Sequence, residues 1–222
     1  MKKSINVLVW IVLLFLAGCG EKAAVMENES EGEKVVSLTR DEIKAASFQD
    51  LFTQVEAKDI QQDIFSLFSV NNSVITAGKE GEANSMVAGW GGWGIIFGKP
   101  AVFNFLRANR YTLVKMREEQ KYTISFFEEQ YREDFIQFGM KSGADSDKMK
   151  ETKLTSVQTP NGNPAYKEAK IILECNLVEV TTVNPEDFYT EDSKSFVVDA
   201  FNEVGEYHKM VFGEIAAVWV RK

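Results

Sequence analysis

Residues 84–112 read NSMVAGWGGWGIIFGKPAVFNFLRANRYT, a stretch that gathers small residues, indoles and two arginines. Ordinary core segments do not combine these. Glycines let a backbone come close to a flat ligand, and tryptophans offer stacking faces. A flat ring needs a tight apolar slot, and a phosphate needs Arg, Lys, Ser or Thr donors. Asn84, Ser85 and Met86, with Gly89, Trp90 and Gly91, supply the slot and small polar contacts. Arg107, Arg110 and Thr112 supply the phosphate end. Taken singly, Trp90 and Trp93 fit a core as well as a ligand, and either arginine fits a surface ion pair. Their concentration in one segment is what points to a site.

Gly89 to Gly94 formally matches G-x-G-x-x-G after a strand. A dinucleotide fold is excluded, because that motif must open a helix and needs an acidic residue about 20 positions on. Here Gly98-Lys99-Pro100 interrupts any helix, and the later position reads Asn109-Arg110.

Working outward, Thr39-x-x-Glu42 and Ser47-x-x-Asp50 are capping-box starts. Phe48, Leu51, Phe52 and Val55 follow at helical spacing, which predicts a short helix. Residues 64–77 read as one or two strands and 78–81 as a turn. Asn84 to Trp90 and Ala101 to Leu106 read as strands, and Tyr111 to Gln120 as a helix. Tyr122 to Phe127 alternates as a strand does. Gln130 to Met140 reads as an amphipathic helix, residues 139–150 as a polar loop and Pro160 to Pro164 as a turn. Lys170 to Val183 and His208 to Arg221 are the last strands. Strands without regular βαβ alternation predict a mainly β fold, an antiparallel barrel with added helices.

The chain begins with a leader rather than with the fold. Lys2 and Lys3 precede an apolar run, and Leu16-Ala17-Gly18-Cys19 reads as a lipobox. The run of about ten residues is too short to span a bilayer as a helix. Residues 1–18 are therefore expected to be a lipoprotein signal peptide, with Cys19 the lipidated N-terminus. Acyl chains contribute about 0.8 kcal/mol per buried CH₂ toward membrane anchoring. Residues 19–36 form a Glu- and Ser-rich tether unable to bury a core, and residues 37–222 suit one domain. Gly20 after the cysteine is compatible with the outer membrane of a Gram-negative cell. The full chain carries a net charge of −8, which argues against nucleic acid as a partner. Cys175 lies in an apolar strand with no intrachain partner left, so it reads as a core thiol, and no zinc cluster can be built.

A second anion-facing segment is Lys141-Ser142-Gly143-Ala144-Asp145-Ser146-Asp147-Lys148, with Ser142, Gly143 and Lys148 able to face an anion. A solvated polar loop is the competing reading, and calcium-loop spacing is absent. The single histidine, His208, opens the final strand, either as a structural residue or beside a ligand. With no reactive Ser or Cys near it, a hydrolase triad is not expected.

Together these segments resemble the flavin reductase-like (FMN-binding split barrel) family over roughly residues 64–220. The resemblance rests on Asn84-Ser85-Met86, Gly89-Trp90-Gly91, Lys99-Pro100, Arg107 to Thr112, Lys141 to Lys148, Glu174-Cys175, and Tyr207-His208 leading to Gly213-Glu214. It implies a split β-barrel, non-covalent FMN and a homodimer. It also implies an oxidoreductase that takes hydride from NAD(P)H to flavin and passes electrons to an acceptor. On this reading Asn84, Ser85, Met86, Gly89, Trp90, Gly91, Arg107, Arg110, Thr112, Ser142 and Lys148 bind the flavin, and His208 contacts the ring edge or the nicotinamide. An alternative function is a lipid-anchored flavin electron carrier or redox sensor without NAD(P)H turnover.

Overall fold

The computed structural model describes residues 38–69, 73–201 and 207–222. The expected leader, the Cys19 lipidation site and the tether lie outside the described residues.

Both capping boxes form. Thr39 and Glu42 exchange side-chain and backbone hydrogen bonds to open α1, Arg40–Ala45, and Ser47 and Asp50 do the same for α2, Phe48–Leu51. The helix expected to continue through Val55 stops at Leu51. The chain instead runs extended as β1, Phe52–Val55, because Val218 to Arg221 of the last strand offer it an antiparallel ladder. Cross-strand main-chain bonds outweigh the weak helical preference of that short run.

Residues 64–77 divide in the same way. Asp63 accepts hydrogen bonds from the backbone N–H groups of Phe65 at 3.1 Å and Ser66 at 3.2 Å. This cap opens α3, Ile64–Ser69, where a strand was expected, and β2 covers only Ser73–Ala77. β3, Asn84–Ala88, and β5, Lys99–Leu106, match the expectation. Between them lies β4, Gly91–Ile96, which glycine-rich sequence conceals. Gly91 is a packing requirement, because a Cβ there would sit 2.5 Å from the Phe103 carbonyl oxygen of β5, whereas a Cβ at Gly94 would meet open space.

α4, Tyr111–Glu119, and β6, Lys121–Phe126, follow as expected. The single helix predicted over residues 130–140 is broken into α5, Arg132–Phe135, and α6, Gln137–Met140. The Gly139 N–H turns back to the Ile136 carbonyl at 3.0 Å, tightening the chain there. The polar loop beyond contains one further turn of helix, α7, Lys148–Glu151. β7, Ser156–Gln158, and β8, Pro164–Tyr166, make a separate hairpin. β9, Ile171–Thr182, then α8, Glu191–Phe201, and β10, Lys209–Arg221, complete the order. Sequence pattern carries no assignment for α8.

The main sheet has eight strands, ordered β3-β2-β6-β9-β10-β5-β4, with β1 added to the far end of β10. Every pairing is antiparallel, so the mainly β fold with added helices is borne out. The end strands β3 and β4 are consecutive in sequence and joined only by Gly89 and Trp90. The sheet buries both faces. Ile75, Leu173 and Val211 belong to one core, whereas Val74, Ile172 and Phe52 belong to a second with Phe127, Phe135 and Tyr166. Cys175 is buried in the first core as a free thiol, as expected. Glu174 is only 1% exposed. Its carboxylate accepts hydrogen bonds from Thr159 at 2.8 Å, Asn161 at 3.1 Å, Trp219 Nε1 at 2.5 Å and Asn163. These bonds pin the β7–β8 turn and β10 to β9, and satisfy a charge that would otherwise be costly to bury.

The N-terminal elements are part of this second core. Leu51 is 1% exposed and packs with Phe48 and Phe52, while Lys222 closes the chain by donating its N–H to the Leu51 carbonyl at 3.0 Å. Leu51→Ala is expected to cost about 2–5 kcal/mol in urea unfolding, the usual range for a truncated core leucine. A loss within about 0.5 kcal/mol, as at a surface site, would show these elements to be an ornament.

Candidate functional site

The site grows from β3, whose residues alternate between two faces. Asn84 and Met86 point one way and line a cavity of about 160 Å³. Ser85 points the other way. Its hydroxyl joins Thr76 at 2.8 Å and Tyr166 at 2.7 Å in a buried network that also reaches the Met149 sulfur. Ser85, read from sequence as a ligand contact, is therefore not brought to the cavity.

Asn84 is the joint of the site. Its amide donates to Thr112 Oγ1 at 2.7 Å, tying β3 to the first turn of α4. Its Oδ1 fills the space where a Cβ of Gly143 would stand, at 1.8 Å from that ideal position, so the 141–148 loop passes directly over it. Having accepted from Asn84, the Thr112 hydroxyl still has its own proton to give. The loop is folded on itself: Ser142 Oγ accepts from the Ala144 N–H at 3.2 Å, and Ser146 Oγ donates to the Ser142 carbonyl at 3.2 Å. Lys148 is 6% exposed, and its ammonium donates to the Phe138 carbonyl at 2.9 Å. Ser142, Lys148, Arg110 and Thr112 line the same cavity as Asn84 and Met86.

The cavity is short of negative charge. Arg110 Nε is buried with no hydrogen-bond partner. Burial, then the Arg107 charge, holds the Arg110 guanidinium below its usual value. Burial, then Arg110, pushes Lys148 down to about 8. No carboxylate among the described residues relieves either group. Positive groups pushed together and out of water are chemically suited to hold an anion with more than one negative charge. The cavity shares Asn84, Tyr111, Gly143 and Lys148 with a groove of about 520 Å³ that is also lined by Glu82, Asp145, Asp147 and Lys115.

Trp90 and His208 lie elsewhere. Their rings stack with centroids 5.1 Å apart. The Trp90 carbonyl is fixed by the Phe105 N–H at 3.1 Å, which holds the β3–β4 connection against β5. His208 precedes Lys209, which pairs with Leu106, so it sits beside the turn carrying Arg107. Burial, then Arg107 and Arg110, pushes the imidazole down to about 4, leaving it neutral at ordinary pH. Trp90, Gly91 and His208 line a second, apolar slot of about 330 Å³ with Phe103, Phe105 and Phe188. Arg107 is exposed at the end of β5, and its charge bears on both His208 and Arg110. Gly89 lies in the link between the two end strands.

The sequence-named residues thus divide between a cation-lined cavity and an aromatic slot, with the Arg107–Arg110 turn between them. Sequence reasoning missed the Phe138 carbonyl, the Asn84–Thr112 bond and the slot walls contributed by Phe188 and Val197. The alternation of β3 was the available signal for setting Ser85 apart.

The family pattern described as a flavin reductase like domain matches residues 65–222. A search of the curated proteins found no match. Solved structures share the fold at low identity. An FMN-binding domain of a flavin reductases-like enzyme from Shewanella baltica OS155 is 17% identical, covering 76% of each chain, with a TM-score of 0.53. A split-barrel-domain protein from Shewanella frigidimarina NCIMB 400 is 17% identical over 82% of this chain and 78% of that one, with a TM-score of 0.52. The flavoredoxin of Desulfovibrio vulgaris (Miyazaki F) is 23% identical over 67% of each, with a TM-score of 0.50.

If Asn84 and Gly143 are mutually fitted, their substitutions cannot be additive. Gly143→Ala alone is expected to destabilise the domain through the clash, and Asn84→Ala to make the same change tolerable. A double-mutant cycle by chemical denaturation should give a coupling of about 1–3 kcal/mol. Additivity within about 0.5 kcal/mol would show that the loop does not rest on Asn84.

Proposed function

Because the chain belongs to the flavin reductase-like domain family, we propose that it binds FMN and acts as an oxidoreductase, taking hydride from NAD(P)H and passing electrons to an acceptor. The observation that carries this reading is the buried, partnerless Arg110 Nε beside the desolvated Lys148 in one small cavity. Arg110, Lys148, Thr112 and Ser142 would hold the phosphate. Met86 and the Gly89–Trp90–Gly91 link would flank the ring, with His208 at its edge. Bound flavin supplies the hydride and electron chemistry, and the protein supplies orientation and charge.

The surroundings of the domain are part of the proposal. The lipobox at Leu16 to Cys19 supports a lipid anchor in the bacterial cell envelope, on the outer membrane if the cell is Gram-negative. The exposed Ile95 and Phe97 at the β4–β5 turn support a homodimer. The envelope location also favours the second reading, a flavin carrier or redox sensor, since an exported protein does not meet cytosolic NAD(P)H. Anaerobic mixing with NADH or NADPH separates the two. Rapid bleaching of the flavin absorbance is expected of the reductase and its persistence of the carrier.

Arg110→Ala should weaken FMN binding roughly tenfold to a hundredfold, the equivalent of a charged hydrogen bond worth about 1.5–3 kcal/mol. Unchanged affinity in a folded variant would refute the phosphate assignment. The pH profile tests Lys148 separately. The phosphate is essentially a dianion above its second pKa of about 6, so its own charge is constant through pH 8. An anion favours charged Lys148, so binding takes up a proton wherever the free protein has lost it. Affinity should therefore be full at about pH 7, between the phosphate's second pKa and that of Lys148, and decline as pH rises past about 8. In Lys148→Arg the decline should vanish. A flat profile in the unsubstituted protein would remove Lys148 from the site.

A further inference from the structure

We propose that Arg40 of α1 is a positioning residue for the cation-lined cavity: through the buried Asp134 carboxylate it fixes the α5–α6 corner that receives the Lys148 ammonium. Arg40 precedes residues 65–222 and so lies beyond the family pattern. It donates to Asp134 at 2.5 Å and lies over the Tyr131 ring, 5.2 Å from its centroid. Asp134 is 4% exposed, and Arg40 is the cation paired with it among the described residues. A carboxylate out of water without a counter-charge is costly, so α5 is held where Arg40 reaches it. α5 turns directly into α6, and Phe138, Gly139 and Met140 of α6 form one wall of the cavity. The Phe138 carbonyl accepts from the Lys148 ammonium at 2.9 Å. Thr152 makes a second tie. Its hydroxyl donates to the Asp134 carbonyl at 2.9 Å, and its N–H donates to the Lys148 carbonyl at 3.2 Å. Lys148 is thus joined to the same corner by its head and, through Thr152, by its main chain.

α1 has a hold of its own from which to act. Ile43 is buried in the second core, and the Lys167 ammonium donates to the carbonyls of Lys44 at 2.7 Å and Ala46 at 2.5 Å. Phe135 and Phe138 also seat the corner, stacking on Phe127 and Tyr166 with centroids 5.2 and 5.5 Å apart. Apolar contact is non-directional, whereas hydrogen bonds weaken when their angles change. The rings therefore supply packing, and the Arg40–Asp134 bond supplies placement. That Lys148 meets a flavin phosphate rests on the function proposed above; that Arg40 sets its place does not.

The test compares Arg40→Ala and Asp134→Ala with the parent in the mature chain, made without its leader and carrying Cys19→Ser. Melting curves show whether each variant is folded. Each lysine is labelled with trace acetic anhydride from about pH 6 to about pH 11, across the lysine range, and its titration midpoint is read by peptide mass spectrometry. Lys148 shares the cavity with Arg110, Lys141 and Tyr111 and the groove with Lys115, Glu82, Asp145 and Asp147, and neither variant alters these. Its midpoint, held at about 8 by burial and then by Arg110, is expected to rise in both variants as the ammonium gains water. A direct charge effect would instead raise it in Arg40→Ala and lower it in Asp134→Ala. FMN and riboflavin affinities are the second readout, since riboflavin lacks the phosphate. Each variant should weaken FMN about threefold to thirtyfold, as for coupled groups in one hydrogen-bond network, and leave riboflavin within about twofold. A midpoint that stays at its parent value, or falls in Asp134→Ala, overturns the proposal. Equal weakening of both flavins also overturns it, being the mark of a merely structural residue. A midpoint that rises in both variants of a protein that binds neither flavin upholds the placement of Lys148 and rejects the flavin reading. An unmoved midpoint in a protein that binds FMN rejects the placement and leaves the flavin reading intact.

Discussion

Two crowded cations, a buried Lys148 and a half-buried Arg110 with no ion pair to either among the described residues, set the terms for this protein. Arg110 and Lys148 line one small cavity, and each is pushed toward its neutral form by burial and by positive charge nearby. Such an arrangement costs free energy in the empty protein and returns it when an anion arrives. The rest of the fold holds that arrangement in place. The β3 strand delivers Asn84, α4 delivers Arg110 and Thr112, and the 141–148 loop delivers Ser142 and Lys148. Asn84 touches both other segments, by a hydrogen bond to Thr112 and by the space left open at Gly143.

The scaffold behind the site is rigid for identifiable reasons. β2 and β6 are buried on both faces along most of their length. Glu174 gathers four neutral donors from two other parts of the chain. The helices and strand before residue 65 precede the family-matched region, yet Ile43, Phe48, Leu51 and Phe52 complete the second core. The connection between β9 and β10, with α8 and its preceding turn, adds one wall of the aromatic slot. One sheet thus carries a cation-lined cavity at one place and an aromatic slot at another.

Much of this was legible where local chemistry decides structure. The two capping boxes form as read, and the helix from Tyr111 and the strands at Tyr122, Lys170 and His208 fall close to their expected places. Legibility failed where a distant partner decides. Phe52 to Val55 spaces like a helix but pairs with Val218 to Arg221, and no local signal announces that edge. Gly91 and Gly92 of β4 hide a strand because they answer to Phe103 across the ladder, not to strand propensity. In the site, Arg110, Thr112, Ser142 and Lys148, all named from sequence, line one cavity. Ser85 was not, because its hydroxyl answers to Thr76 and Tyr166 on the opposite face. Trp90 was read as flanking a flat ring and His208 as touching its edge or the nicotinamide, and the structure gathers both in one aromatic slot.

The most direct measurement of the central claim is the visible absorbance spectrum of the purified mature domain, followed by quantitation of the flavin released on heating. Roughly one FMN per chain, either co-purified or taken up on addition, is the result this account predicts. A colourless protein that stays colourless after FMN is added, with its melting temperature unmoved by the ligand, would contradict it.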